Sequence, residues 1–99
     1  MRRGTTPTHT FKTPIDLTGV SEIFMTYAQS GRKVLEKTKD DIEITAEELK
    51  ITLTQTDTLA FSTIGDVEIQ CRAKFPDGSV VASQIIKTQA CKILKEGVI

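Results

Sequence analysis

The side chains in this sequence that could do chemistry are few and widely spaced. His9 is the only histidine, and Cys71 and Cys91 are the only cysteines. A histidine base needs a nucleophile and an orienting partner, whereas His9 lies among threonines in the stretch RRGTTPTHTF. A metal site built from these three residues lacks the paired CxxC or HxxxH spacing of zinc proteins. We therefore predict no catalytic residue, no metal site and no cofactor, and we expect a protein that is not an enzyme.

Two further motifs lack the spacing that their chemistry requires. The acidic stretch DDIEITAEE, residues 40–48, has neither the loop glycine nor the regularly spaced oxygen ligands of an EF-hand. The stretch SGRK has one glycine, whereas a phosphate-binding loop needs two at a fixed distance before the lysine. We interpret the first as a solvated turn with a strand edge and the second as a turn, and we expect no small-molecule substrate.

The charge balance narrows the range of partners. Lys and Arg number 13, as do Asp and Glu, so the formal net charge is zero. A nucleic-acid binder needs a basic surface, and a peripheral membrane anchor needs a basic cluster. The chain also has no apolar run long enough for a transmembrane helix. We expect a protein partner, and neither nucleic acid nor a membrane.

The elements that would carry any site are predicted to be strands. In VEIQCRAKF, Val67–Phe75, apolar and polar residues alternate, which is typical of a strand with one buried face. The same alternation predicts strands with inward-facing residues in Glu22–Ala28 and in ELKITLT. The residues predicted to face inward are Ile23, Met25, Tyr27, Leu49, Ile51, Leu53, Val67, Ile69, Cys71, Ala73 and Phe75.

Turn and helix signals divide the rest of the chain. Pro76-Asp77-Gly78 predicts a turn into a returning strand at Val80–Lys87. That strand has apolar residues on both faces, so it is either covered on both sides or interrupted by a bulge. Thr54 with Asp57 three residues later resembles a capping box, which predicts one short helical turn near 54–60, after which Leu59 and Phe61 point to the core. The tail QACKILKEGVI is either a last short strand or a loop closing the sheet edge.

Together these segments predict an all-β fold. They amount to about six to eight short strands with frequent turns, no long amphipathic helix and no alternation of strand and helix. We predict a single domain over residues 1–99, built as an antiparallel β-sandwich with that one helical turn. Free thiols are the expectation for so few cysteines.

The polar opening stretch has two interpretations. It is either an edge strand preceded by a frayed basic arm, or an assembly arm over Arg2–Thr10 that a neighbouring molecule orders. In either case residues 1–6 are candidates for a flexible arm, and only Phe11, Ile15 and Leu17 would need burial. The side chains that we single out for an interaction are Arg2, Arg3, Thr5, Thr6, Thr8 and His9.

Four phrases of the sequence carry a family resemblance: RRGTTPTHTF, TYAQSGRKVLEK, LTQTDTLAF and VEIQCRAKFPDGSVVAS. Together they resemble a group of short uncharacterised proteins encoded in prophages and mobile elements of Gram-positive bacteria, often among tail genes. The resemblance covers nearly the whole chain. The layout is also similar to the Ig-like sandwich domain at the amino end of phage baseplate upper proteins.

The resemblance implies an Ig-like sandwich and a structural or assembly role. A tail- or baseplate-associated module would act through contacts with other tail components, or through self-association of strand edges. The alternative is a soluble accessory protein that binds a host or phage partner in the bacterial cytoplasm. Under the first reading, the chain would lie in the cytoplasm during phage assembly or in the finished virion.

Overall fold

In the computed structural model, which describes residues 1–99, eight strands form two antiparallel sheets. The three-stranded sheet has β1 (Thr8–Lys12) at one edge, β5 (Glu48–Thr52) in the centre and β4 (Ile42–Ile44) at the other edge. The five-stranded sheet runs from β3 (Arg32–Thr38) through β2 (Glu22–Gln29) to β6 (Val67–Lys74). Two short strands, β7 (Val80–Ala82) and β8 (Ile86–Thr88), both pair with the outer side of β6. The predicted all-β architecture is confirmed.

The core lies between the inward faces of the two sheets. Strands β2 and β6 pair along their whole length, with Met25 opposite Cys71 and Tyr27 opposite Ile69. Leu49 and Ile51 reach the same apolar cluster from β5. Period-two alternation therefore places the predicted residues inside, with the exception of Phe75, which is half-buried at the end of β6.

Local signals define the tight turn and the helix. Ser30 and Gly31 both have positive φ, 53° and 75°, and connect β2 to β3 in a two-residue hairpin. The predicted helical turn is α1 (Gln55–Leu59). Its capping box forms, because the Thr54 hydroxyl accepts the Asp57 N–H at 3.1 Å and the Asp57 carboxylate accepts the Thr54 N–H at 2.9 Å.

Besides Phe75, three expected core residues are not fully buried, since Phe11 and Leu59 are half-buried and Ile15 is exposed. Phe61 is buried as predicted after α1, but Leu59 stays half-exposed. In the loop after β1, Leu17 is buried, whereas Ile15 is 46% exposed, so the expected burial of Ile15 is wrong. Ile15 lies in the loop after β1, and β1 is an edge strand of the smaller sheet. No further strand pairs with β1 on its outer side.

The strand predicted at Val80–Lys87 is interrupted. Ala82 lies opposite Arg72, and Ile86 lies opposite Ile69, so the outer strand has one more residue than β6 over this interval. That extra residue is the signature of a bulge, which confirms one of the two alternatives. The other alternative, coverage on both faces, is wrong, because the four large apolar residues of this segment are 36% to 52% exposed.

The C-terminal segment forms a loop, and the structure has no membrane-length apolar helix. After β8 the only pairing is an isolated parallel bridge between Cys91 and Arg2, so the loop alternative for the tail is confirmed. No helix is both long enough and apolar enough to cross a bilayer.

Candidate interaction surface

The N-terminal segment lies along the C-terminal loop of the same chain. The terminal ammonium of Met1 donates to the Gln89 carbonyl at 2.9 Å, and the Cys91 N–H donates to the Met1 carbonyl at 2.7 Å. Arg2 follows the same loop, with its guanidinium donating to the Lys92 carbonyl at 2.8 Å. Of the predicted arm, Arg2 is thus engaged by the chain's own backbone.

Arg3 ties this segment to the region that follows α1. Its Nε donates to the Phe61 carbonyl at 2.7 Å and its Nη2 to the Leu59 carbonyl at 3.1 Å. Its Nη1 forms an ion pair with the Glu96 carboxylate at 2.6 Å. Because a guanidinium presents its donors in a fixed fork, these three contacts together fix the direction of the side chain. Arg3 therefore acts as a bridge within the fold.

Thr5, Thr6 and Thr8 have different surroundings. The Thr5 N–H donates to the Thr58 hydroxyl at 3.1 Å, and that hydroxyl donates back to the Thr5 carbonyl at 2.9 Å. The Thr6 side chain is exposed. The Thr8 hydroxyl lies 2.9 Å from that of Thr52 on the exposed side of the β1–β5 pair. Among the hydroxyls of these three residues, only that of Thr6 forms no hydrogen bond within the chain. Contact of this stretch with a partner stays a prediction.

His9 lies between the two sheets, half-buried on β1. Its Nδ1 is 2.8 Å from the Tyr27 hydroxyl, and the two rings stack with centroids 5.8 Å apart. Burial, and secondarily the positive N-terminus, lower the pKa of His9 below 6.5. Burial and the nearby Asp57 charge raise the pKa of Tyr27, so its hydroxyl keeps its proton and can donate to Nδ1. His9 therefore belongs to a structural contact between the sheets.

Asp57 completes this polar region at the start of α1. Its carboxylate is 2.8 Å from the Lys37 ammonium of β3. Partial burial opposes its ionisation, but the hydrogen bonds from Lys37 and the Thr54 N–H hold the pKa of Asp57 below its usual value. The charges of Lys37 and Asp57 thus neutralise each other within the fold. No group of three or more side chains that could ligate a metal occurs in this region.

An apolar cleft opens between β1 with its following loop and the β7–β8 edge. The cavity measures about 140 Å³. Leu49 and Met25 lie deep in it, one from each sheet, together with Cys71 of β6. Its rim is formed by Ile15 on one side and by Val81 and Ile86 on the other. The sandwich is therefore incompletely closed along this side.

Two groups in the cleft wall have distinct chemistry. Burial raises the pKa of the Cys71 thiol, and this cysteine is free. The Thr13 hydroxyl is shielded from solvent yet has no hydrogen-bond partner in the chain. Buried polar atoms almost always have a hydrogen-bond partner. The Thr13 hydroxyl is an exception to this rule. The other cysteine, Cys91, is exposed and free.

The sheet edge beside this cleft carries a single charge, Lys87 at the centre of β8. No charged residue lies between Asp77 and Lys87. Val81 and Ile86 face the cleft, whereas Val80 and Ile85 lie toward the outer face of the sheet. An exposed sheet edge normally carries charges, because unpaired backbone groups beside apolar side chains invite pairing with another strand.

Each of the three other sheet edges carries at least one charged residue. The edge strand β3 has Arg32, Lys33, Glu36 and Lys37 within its seven residues. Strand β4 has Glu43 at its centre and follows two aspartates, and β1 ends in Lys12. The β7–β8 edge has one charge, as β1 has, but it alone also has exposed large apolar side chains, so it is the edge best suited to pairing with a second polypeptide.

The sequence prediction named interacting residues only in the arm, and it offered self-association of strand edges without specifying an edge. The signal was present in GSVVASQII, a stretch with no charge and with apolar residues at both strand parities. A segment covered on both faces and an exposed apolar edge share this pattern. Only the arrangement of the sheets distinguishes them, because it determines what lies over β7 and β8.

Comparison with known protein families, with curated proteins and with solved structures finds no match. The geometry of the edge and the cleft is therefore the main guide to function. The resemblance to prophage proteins contributes an expectation.

Proposed function

We propose that this chain is a non-enzymatic protein-binding module whose docking surface is the β7–β8 edge together with the adjoining cleft. The observation that carries the proposal is the apolar character of this edge, where Val80, Val81, Ile85 and Ile86 are each at least 36% exposed. Exposed apolar groups that cluster next to an open strand edge are typical of strand addition, in which backbone pairing supplies affinity and side-chain pockets supply specificity.

The cleft complements the edge as a side-chain pocket. Its volume of about 140 Å³ is close to that of an engineered cavity that holds one benzene molecule. A space of this size fits one large aliphatic or aromatic side chain.

The setting that we propose is the assembly of a phage tail or baseplate. This part rests on the resemblance of the sequence to prophage proteins, and the zero net charge is compatible with closely packed copies. A cytoplasmic accessory protein that binds a host or phage partner through the same edge is the alternative. The presence or absence of the chain in mature particles separates the two.

Particles purified from cells that produce the chain test the proposal. Ile86→Lys introduces a charge at the rim of the cleft and should reduce the amount of chain in particles by about tenfold or more, since an apolar side chain would lose its burial. Ile64→Lys is the matched control, because Ile64 is 81% exposed and lies in the loop between α1 and β6, outside β7 and β8. It should leave incorporation unchanged.

Quantitative mass spectrometry of the particles and thermal unfolding of each variant provide the readouts. Equal incorporation of both variants, with both folded, contradicts docking through the edge. Absence of the unmodified chain from mature particles rejects the virion role and favours the accessory protein.

A further inference from the structure

We infer that the partner docked on the β7–β8 edge is a second copy of this chain, paired antiparallel across a two-fold axis. The inference rests on the proposed function, since it names the occupant of the same edge. The two proposals differ in what they require. The proposed function requires binding to some protein, whereas this inference requires one register between identical strands.

The backbone direction along β7 follows from two hydrogen bonds. The Phe75 N–H donates to the Ser79 carbonyl at 2.8 Å, and the Ser83 N–H donates to the Cys71 carbonyl at 2.9 Å. In an antiparallel pair, alternate residues direct their backbone groups to the same neighbour. Ser79 and Ser83 thus face β6, and the backbone groups of Val80 and Ala82 are directed away from the sheet.

The bulge shifts this alternation by one residue. The Ser83 hydroxyl accepts the Cys71 N–H at 3.0 Å, in place of a ladder carbonyl. Beyond it, Ile86 lies opposite Ile69 and takes the position that faces β6. The backbone groups of Ile85 and Lys87 are then directed outward. The free edge presents outward groups at residues 80, 82, 85 and 87.

These four positions are self-complementary. A two-fold axis between Ser83 and Gln84 places Val80 opposite Lys87 of the second copy and Ala82 opposite Ile85 of the second copy. All four are outward-directed, so each pair can exchange backbone hydrogen bonds. Without the bulge, the alternation would place outward-directed groups opposite inward-directed ones in this register. The extra residue thus determines in which register the edge can pair with its own copy.

The side chains agree with the same register. Val81 lies opposite Ile86 of the second copy, and both residues line the cleft side of the sheet. The pair forms twice, so the rims of the two clefts meet through four apolar side chains. On the outer face, the apolar Ile85 lies opposite the small side chain of Ala82. Cross-strand apolar pairs of this kind stabilise a sheet.

Charge also favours a second copy. Lys87 is the only charged residue of the paired segment, and the register places it opposite Val80. No like charges are therefore directly opposed across the axis. Strand β3, at the other edge of the same sheet, carries three basic residues and one acidic residue, so it would oppose like charges in many registers.

A designed disulfide tests the register. In a Cys91→Ser background, which leaves only the buried Cys71 thiol, Ala82→Cys and Ile85→Cys introduce two thiols that lie opposite each other across the axis. Directly opposed strand residues have Cα atoms within disulfide range. Mild oxidation should therefore convert this double variant into a covalent dimer.

The single variant Ala82→Cys in the same background is the matched control. Its two copies of residue 82 are offset by three strand positions, about 10 Å, which exceeds the disulfide range. It should cross-link at least about tenfold more slowly than the double variant. Equal rates, or no cross-linking of the double variant, overturn the inferred register.

The mass of the unmodified chain in solution, from light scattering over a range of concentrations, tests the second copy itself. We expect a shift from monomer to dimer, and Ile85→Lys should weaken the dimer by about tenfold or more while Ile64→Lys does not. A monomer at all concentrations overturns this inference. If such a monomer still enters particles in an Ile86-dependent manner, the proposed function stands with a different partner. If the dimer forms but particles lack the chain, the phage-particle role fails and the dimer stands.

Discussion

At the scale of single residues, the polar side chains of the opening stretch have roles inside the fold. His9 contacts Tyr27 across the sheets, and Arg3 donates to the carbonyl of Leu59, the last residue of α1, and to that of Phe61. Gln29 does the same for the loop before β6. Its amide N–H groups donate to the Ser62 and Gly65 carbonyls, at 2.7 Å and 3.1 Å. Buried polar groups of this kind stabilise a unique arrangement, because each would be costly without its partner.

The position of His9 predicts a pH dependence of stability. The unfolded chain binds the proton with a pKa near 6.5, and the folded chain binds it at lower pH. The unfolded state therefore holds more protons in this interval, and the free energy of unfolding should fall as the pH decreases from about 7 through 6.5 and below. Urea denaturation at a series of pH values measures the slope.

The variant His9→Gln separates this effect from the carboxylates. Asp57 loses its contribution only at lower pH, because its pKa lies below the usual value for a carboxyl group. His9→Gln should thus flatten the slope between about pH 7 and pH 5 and leave the acid limb. The same slope in both proteins contradicts the assignment to His9.

At the scale of elements, the N-terminal segment is attached by few but specific contacts. The buried Thr58 of α1 accepts the Thr5 N–H and donates to the Thr5 carbonyl, and this exchange links the segment to the helix. No apolar side chain precedes Phe11 apart from Met1 and the ring of Pro7. Hydrogen bonds thus contribute a large share of what holds this segment in place.

Thr58→Val tests that attachment with a side chain of nearly the same shape. We expect the free energy of unfolding to decrease by about 1–3 kcal/mol, because the partly buried N–H and carbonyl of Thr5 lose their partner. Amide hydrogen exchange in residues 1–6 should accelerate in the same variant.

Thr56→Val is the control within the same helix. Thr56 is exposed, so this change should shift the free energy of unfolding by no more than about 0.5 kcal/mol. A similar loss of stability in both variants would show that the valine acts through helix propensity and not through the contact with Thr5.

The strands and the helix also show which structural features can be predicted from local sequence patterns. The strand β6 and the capping box of α1 depend on neighbouring residues, and both were predicted at the right positions. The exposure of Ile86 and Ile15 depends on which sheet lies over them, which no local pattern contains. The contact of Arg3 with Phe61 joins residues far apart in the chain, so the arm could be recognised as polar but its location could not be derived.

At the scale of the whole molecule, the fold is small and elongated, with extents of 47 × 26 × 17 Å. A domain of 99 residues buries a modest core, and here one side of the sandwich stays open. Two-fold pairing along β7–β8 would extend the larger sheet through both copies and bring the two open sides together. The β7–β8 edge and the cleft, which are exposed in the monomer, would then form the contact between the two copies.

Hydrogen exchange of single amides along this edge tests the account most directly. The outward amides of Val80, Ala82, Ile85 and Lys87 should exchange rapidly in dilute solution and slow down as the concentration rises. The Ser83 amide, which already donates to Cys71, is the internal reference. Ile85→Lys should abolish the slowing. Rapid exchange of these four amides at every concentration would contradict pairing at this edge.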